Sequence, residues 1–593
     1  MKWIQKSVDE SKVPALAAAL RQQCGIQSAP QTETLSRLLI MRGVEDGESA
    51  QKFLSPSLAH LYSPYLLTGM KAAVDRIDAA IERKESILIY GDYDVDGTTA
   101  IVILKTAIEL CGGSADFHVP HRIKEGYDLR GDRIEQAAAE GIRLVVSVDT
   151  GIRAFAAAET AHRLGVDLIV TDHHLPGPNG MPRALAVLNP NQPGCEYPSK
   201  SLCGAGVAFK LAQALMERRI PERDQSRLLA SFLKVVAIAT VADAVPLTGE
   251  NRVFAKLGLD ALRKAVNPGL KALLDVSKLG GRPLTSGEVA FRIAPRINAA
   301  GRMDVARDVI DLFSTKDTHH AQEIANKLDQ LNAARQKEER EILESIKLRV
   351  EEEPALRDAY CVVIDGDGWH RGVIGITATR VVEQFGRPAL VISRDGEEAH
   401  GSGRSIPAFH LLDALESCAA LFTRFGGHAH AAGFSMPSER IPELRSHLDG
   451  YARERLTLAD FEPILRYDAE LPLEFVTPDF FQLLERLQPF GVGNPEPVFA
   501  ACGVRLLGAA RIFKEKHVKL KFAAAKNGVV HTAVGWRMAE VVEQMQLLSG
   551  DMLDIAFTLD HNDHPEFGGL ELVLRDFRRA QPRADRSADH RAM

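Results

Sequence analysis

From about residue 70, apolar runs of strand length alternate with segments whose apolar residues recur at helical spacing. Residues 86–92, 115–120, 144–149 and 167–172 read as strands, and 98–110, 132–140 and 153–164 as helices. This alternation predicts an open, mostly parallel sheet with helices on both faces. Upstream, residues 1–69 are helical in spacing and broken by Pro56 and Pro64. Residues 220–315 read as helical. From 318 to about 352 there is neither Pro nor Gly, and the middle, 332–341, is nearly all polar. A helix polar all round crosses solvent between domains, and 35 residues would span about 50 Å. A second α/β pattern starts at residue 360. From about 460, short alternating runs at 504–507, 518–522, 529–534 and 553–559 predict a small barrel.

The pattern therefore predicts six segments: 1–69 helical and irregular, 70–316 a first α/β domain, 317–353 a connecting helix, 354–458 a second α/β domain, 459–580 a barrel and 581–593 a disordered tail. A length of 593 residues agrees with several cores. The net charge of −7 supplies no bulk attraction for nucleic acid, so a nucleic-acid enzyme would need a local basic groove. Seven scattered cysteines form no Cys-x-x-Cys pair, which points away from zinc ribbons and disulfide frameworks and toward a reducing cytoplasm. The first residues lack a signal-peptide core, and no apolar run reaches the length of a membrane span.

In sheets of this kind, ligands sit beyond the carboxyl ends of the strands. Three predicted strands end in chemistry: Gly91-Asp92-Tyr93-Asp94-Val95-Asp96-Gly97, then Val148-Asp149-Thr150-Gly151, then Thr171-Asp172-His173-His174. Alternation along a strand would turn Asp92, Asp94 and Asp96 toward one point. A helix-like stretch ending at Asp243 offers a fourth carboxylate. A lone Asp-x-Asp is as readily a turn, and a lone His pair is more often surface. Together on one rim, these carboxylates and an imidazole suit two hard divalent cations, which clamp an in-line phosphoryl displacement.

Asp172-His173-His174, with the three flanking motifs, Leu188-Asn189-Pro190-Asn191-Gln192 and the segment 202–210, resembles the DHH phosphoesterase superfamily. Within it, the resemblance is to the single-strand-specific 5′→3′ DNA exonucleases and runs from about residue 70 to the end. It implies two α/β domains, DHH and DHH-associated, joined by a long helix around a central cleft, with a C-terminal OB-fold. It implies two ions, Mn²⁺ or Mg²⁺: Asp94 on one, Asp96 on the other, Asp149 bridging, and His173 with Asp243 completing the second. His174 would face the scissile phosphate, and Asp92 would support the loop beside the chemistry. No protein nucleophile is required.

Arg122, in the segment 120–127, reads as a surface arginine or a phosphate grip, and in the family this segment closes over substrate. Family sequences usually carry Gly where this one has Asp128. Arg296 and Arg302 read as DNA-backbone contacts or as interdomain ion-pair residues. Gly401-Ser402-Gly403-Arg404-Ser405 and Gly426-Gly427-His428 are anion-cradle loops in composition. By the resemblance, Ser402, Arg404 and His428 face DNA, and Ser402 and Arg404, with Arg122, take a 5′-phosphate. In the barrel, Lys514, Lys516 and Lys519 would track a strand, with Phe513 and Phe522 as stacking platforms.

The implied function is a metal-dependent exonuclease releasing mononucleotides from the 5′ end of single-stranded DNA in repair and recombination. It would be a monomer off the membrane, with single-strand-binding protein and a RecQ-like helicase as partners. The rivals are a DHH phosphoesterase acting on short oligonucleotides or cyclic dinucleotides, which needs neither long helix nor barrel, and a non-catalytic DNA-binding scaffold, which would have lost ligands.

Overall fold

A computed structural model describes residues 1–24, 29–122, 125, 126, 128–304, 306–524, 528–562 and 568–580. The expected disordered tail from 581, and Ile123, Lys124 and Tyr127 of the expected substrate-closing segment, lie outside the described residues. The chain divides into two compact units, one of residues 62–243 with 257–463, the other of 1–61 with 244–256 and the segment from Ile464 onward.

The first unit opens with a parallel sheet of β1 (Ser86–Gly91), β2 (Ser114–His118), β3 (Leu144–Val148), β4 (Asp167–Thr171) and β5 (Ala186–Leu188), in the order β2-β1-β3-β4-β5. Every residue of β3 is buried, as a sheet covered on both faces requires. Leu88, Tyr90, Val145 and Leu168 pack one face against Ile134, Ala157 and Ala161. The register pairs Gly91 with Val148 and Val148 with Thr171. Asp92, Asp149 and Asp172 therefore leave three neighbouring strands at one level.

Helix α1 (Val95–Leu110) follows β1, and α2 (Gly204–Arg219) and α3 (Glu222–Ala242) pack against it. α1 is apolar nearly all round and correspondingly buried. By length and composition α3 could cross a bilayer, against the expectation of no such run. Here it is a core helix, burying Phe232, Leu233, Val236 and Ile238. Further on, α4 (Ala294–Met303) leads to α5 (Thr318–Glu352), 35 residues long.

α5 departs from the expected solvated rod. Ile324 and Leu328 are buried near its start and Ile342, Ile346 and Val350 near its end, and in the polar middle Asn332 and Arg335 are buried too. The reason is that α4 and α6 (Ile374–Phe385) cover that middle. Arg335 meets the cost of burial by donating to Asn332 and Glu339. The second sheet comprises β6 (Val362–Asp367), β7 (Ala389–Asp395), β8 (Glu398–Arg404), β9 (Arg424–His428) and β10 (Ala431–Pro437), in the order β9-β10-β8-β7-β6, with only β6–β7 parallel.

In the other unit, β11 (Phe499–Leu506), β12 (Arg511–Phe513), β13 (His517–Ala523), β14 (Val530–Gly535), β15 (Met552–Asn562) and β16 (Gly569–Arg579) run β11-β15-β16-β14-β13-β12. Pairing of Arg505 and Leu506 with Ala523 and Phe522 joins β11 to β13 and closes a five-stranded barrel. The N-terminal strand Lys2–Gln5 pairs with Ile464–Tyr467 in the same unit. Cys111, Cys195, Cys203, Cys361 and Cys418 are buried thiols outside any disulfide, and Cys502 is an exposed one.

Candidate metal centre and phosphate grip

The three aspartates after β1 do converge, but not by strand alternation. The strand stops at Gly91, Asp94 is the N-cap of α1, accepting from the Gly97 amide at 3.1 Å, and Asp96 lies in the first helical turn. The Asp96 carboxylate accepts from the Gly204 amide at 2.5 Å and the Ala205 amide at 2.8 Å, so the N-terminus of α2 holds it. Asp149 stands at φ 59°, a left-handed backbone rare for a side-chain-bearing residue, and its side chain is buried. A Cβ on Gly204 would lie 2.4 Å from Asp149 Oδ1, so only glycine lets α2 come so close.

Three sets of ligand atoms gather, each within 4.8 Å: Asp92, Asp94 and Asp149; Asp96, His173 and Asp243; and Asp149, His173 and His174. His173 Nε2 lies 3.2 Å from Asp149 Oδ1 and 3.8 Å from Asp96 Oδ2, and its Nδ1 is 3.9 Å from Asp243 Oδ2. Asp92 Oδ1 and Asp149 Oδ1 are buried without hydrogen-bond partners, although His173 Nε2 stands close to the latter. Burial, and then mutual repulsion, push Asp92 and Asp243 up to about 8 and raise Asp94 and Asp149 in the same sense. Burial holds His173 below its ordinary value, as a neutral ligand requires. Buried, orphaned carboxylate oxygens beside a neutral imidazole fit hard divalent cations, which would supply the missing partners.

His174 is held by Asp172, which the sequence reading gave no role. Asp172 Oδ1 is 2.8 Å from His174 Nδ1 and also accepts from the His173 and His174 amides, while Oδ2 accepts from Ile152. These bonds keep Asp172 below its usual range despite burial. Burial lowers His174, but Asp172 outweighs it and raises the imidazole to about 8. Asn191 and Asn189 fix the backbone by donating to the His173 and His174 carbonyls, and Asn298 accepts from the Val95 amide at 3.1 Å. Asn189 and Asn191 belong to the motif Leu188–Gln192 noted in the sequence, but these backbone bonds appear only in the fold. Asp128, at φ 87°, accepts from Thr150 Oγ1 at 3.3 Å, so its carboxylate braces the loop carrying Asp149.

The basic residues separate into groups. Arg122 lies over the Tyr93 ring at 4.9 Å. Arg404 donates to Ser402 Oγ at 3.1 Å, and burial and then Arg122 lower its pKa. Arg122 from the first domain and Arg404 from the second thus repel each other beside Ser402, an arrangement an anion would relieve. Arg302 donates to the Gly372 carbonyl at 2.9 Å, and burial, Arg122 and Arg335 bring it down to about 10. Arg296 is otherwise placed: it pairs with Asp329 on α5 at 2.8 Å, the ion-pair alternative rather than a strand contact. His428 is exposed on the edge strand β9.

In the barrel unit Lys514 and Lys516 are exposed at the β12–β13 turn, while Lys519 is partly taken by Glu571 at 3.3 Å. Phe522 is 0% exposed and cannot be a platform, because it faces the barrel interior. Trp536, which sequence reading missed, is 54% exposed and sits edge-on to His517 at 4.9 Å and Phe513 at 6.0 Å.

Three family models match the chain: "DHH family, N-terminal domain" over residues 86–240, "DHHA1 domain" over 358–454 and "RecJ OB domain" over 467–576. The chain is 36% identical to the single-stranded-DNA-specific exonuclease RecJ of Bacillus subtilis, covering 97% of this chain and 70% of that one. It is 35% identical to the RecJ of Dickeya dadantii, over 91% and 95% respectively. The crystal structure of Thermus thermophilus RecJ in complex with Mn²⁺ superposes with a TM-score of 0.80 at 29% identity, covering 98% of this chain and 80% of that one. A Mg²⁺ complex of the same protein matches at 0.75. With all three domain models matched and more than a third of its residues identical to RecJ over nearly its whole length, the chain belongs to the RecJ family of the DHH superfamily.

Proposed function

We propose that this chain is a 5′→3′ exonuclease that hydrolyses single-stranded DNA to mononucleotides using two divalent ions, Mn²⁺ or Mg²⁺. The observation that carries it is the pair of buried, unpartnered oxygens on Asp92 and Asp149 inside a cluster of five carboxylates and His173. The grouping assigns Asp92, Asp94 and Asp149 to one ion and Asp96, His173 and Asp243 to the other. In this reading Asp92 serves as a ligand as well as supporting the loop. When bound, the ions neutralise the scissile phosphate and activate water for in-line attack.

The chain's own residues do the rest. Asp149 stands between the two sets. His174, kept protonated by Asp172 near neutral pH, donates to a phosphate oxygen as charge develops. Arg122, Ser402 and Arg404 hold the 5′-phosphate, and the gap from that grip to the metals sets a step of one nucleotide. Water adds across the P–O3′ bond: a 5′-mononucleotide leaves with a free 3′-hydroxyl, and the strand keeps a new 5′-phosphate. Trp536 with Lys514 and Lys516 supplies a stacking and charged face for single-stranded DNA.

The proposal extends to a cytoplasmic, monomeric repair and recombination enzyme that works with single-strand-binding protein and a RecQ-like helicase. Five buried thiols outside any disulfide, Cys111, Cys195, Cys203, Cys361 and Cys418, support a reducing compartment. The test is end-labelled single-stranded DNA with Mn²⁺, against duplex and dinucleotide. Release from 5′ ends is expected, and Asp149→Ala should lose cleavage by at least ~10³-fold while still folding and binding DNA. Predominant release from 3′ ends, or near-wild-type cleavage by the variant, would refute the assignment.

A further inference from the structure

Beside α5, between α4 and α6, lies a cavity of about 550 Å³, a volume suited to a nucleotide-sized ligand. Its walls carry four arginines, Arg302, Arg335, Arg340 and Arg380, against a single carboxylate, Glu339. Glu339 is already shared by Arg335 at 2.8 Å and Arg380 at 3.3 Å. Among the described residues, Arg302 and Arg340 have no carboxylate within ion-pair distance. Arg302 moreover feels the charges of both Arg122 and Arg335. Arg335 is buried and Arg302 half-buried, while Arg340 and Arg380 stand exposed at the mouth; like charges gathered in this way are relieved when an anion joins them. At the rim, Phe291 is 74% exposed, an unsatisfied aromatic face of the kind on which bases stack.

The cavity adjoins the reaction centre without being part of it. Asn298, on its wall, holds the Val95 amide of the acidic loop. Ile376, also on its wall, follows Gly375, where a Cβ would lie 3.0 Å from Ser402 Oγ and 3.3 Å from Arg404 Nη2. The wall therefore adjoins both the acidic loop, through Asn298, and the 5′-phosphate grip, through the chain neighbour of Ile376.

We propose that this cavity is a second nucleotide site, which receives the 5′-mononucleotide product after cleavage and empties it to solvent past Phe291 and Arg340. The inference rests on the exonuclease reading. Arg302 passes the phosphate from the Arg122–Arg404 grip to Arg335 and Arg340, clearing the grip for the new 5′ end. The chemistry of the walls selects a monophosphate dianion bearing a flat base.

The test uses the full-length Mn²⁺ enzyme and Arg340→Glu and Phe291→Ala, both at exposed positions. Wild-type protein should bind two dTMP per chain, and Arg340→Glu one, with the second site weakened ~10-fold or more. The single-turnover cleavage rate should stay within ~2-fold, while multiple-turnover rate falls ~3–10-fold as product release becomes limiting. Retention of both dTMP sites in both variants would overturn the proposal. So would a parallel fall of single-turnover rate and DNA affinity, which would make the cavity part of the strand's path, or displacement of dTMP by equimolar inorganic phosphate, which would make it a simple anion site. Failure of the wild-type enzyme to cleave single-stranded DNA would sink the exonuclease reading instead, and the dTMP count would still judge the site.

Discussion

Gly204→Ala should cripple the enzyme although glycine brings no chemistry. The added Cβ would stand 2.4 Å from Asp149 Oδ1 and 2.5 Å from its Cβ. Ordinary contact begins near 3.4 Å, so something must move by about 1 Å. Asp149 cannot retreat freely, being buried at φ 59°, and α2 cannot shift without lengthening the 2.5 Å bond from the Gly204 amide to Asp96. Either path displaces a proposed metal ligand by about 1 Å, which costs on the order of 10²-fold in rate. Helix propensity works the other way, favouring Ala by up to ~1 kcal/mol, so thermal stability should change little compared with activity. The assay is single-turnover release of mononucleotide from 5′-labelled single-stranded DNA across a Mn²⁺ titration. Gly206→Ala is the internal control, since its Cβ would meet Leu202 Cβ at an ordinary 3.4 Å. Activity of Gly204→Ala within about threefold of wild type, or equal loss in the control, would refute the reasoning.

Other outcomes follow from the same geometry. Arg404→Ala should lower cleavage of 5′-phosphorylated DNA by ~10–100-fold and 5′-hydroxyl DNA far less; equal loss on both would remove Arg404 from the phosphate grip. In metal-free protein, Asp92 and Asp243, pushed up to about 8 by burial and repulsion, bind more protons folded than unfolded, and His174, raised to about 8, acts in the same direction. Stability should therefore fall as pH rises from 6.5 to 8, a window above the ordinary range of His173. Added Mn²⁺ should raise Tm more at pH 8 than at 6.5, and a metal-free Tm that climbs with pH would contradict the cluster. Asp128→Gly relieves a left-handed aspartate but frees Thr150, so stability should stay within ~1 kcal/mol while kcat drops and the KM for DNA holds. An unchanged kcat would show that the brace is idle.

Much was legible along the chain because it is local. Apolar alternation predicts the parallel sheet, since a strand buried on both faces must be apolar throughout, as Leu144–Val148 is. The carboxyl-end rule then brings Asp92, Asp149 and His173 to one rim. What only tertiary structure decided is how they meet. Asp94 and Asp96 converge as a cap and a first helical turn, with α2's amides gripping Asp96 across more than a hundred residues. Asp172 as the partner of His174, Gly204 as the space for Asp149, and Arg296 as an ion pair with Asp329 are likewise outcomes of packing. Helical period marks which face is apolar, but not which neighbour covers it. So the middle of Thr318–Glu352 reads as solvated while α4 and α6 bury Arg335, and Phe522 reads as a platform while barrel closure turns it inward. Motif residues carry their chemistry in their side-chain type, whereas distance, burial and charge repulsion arise only when remote segments meet.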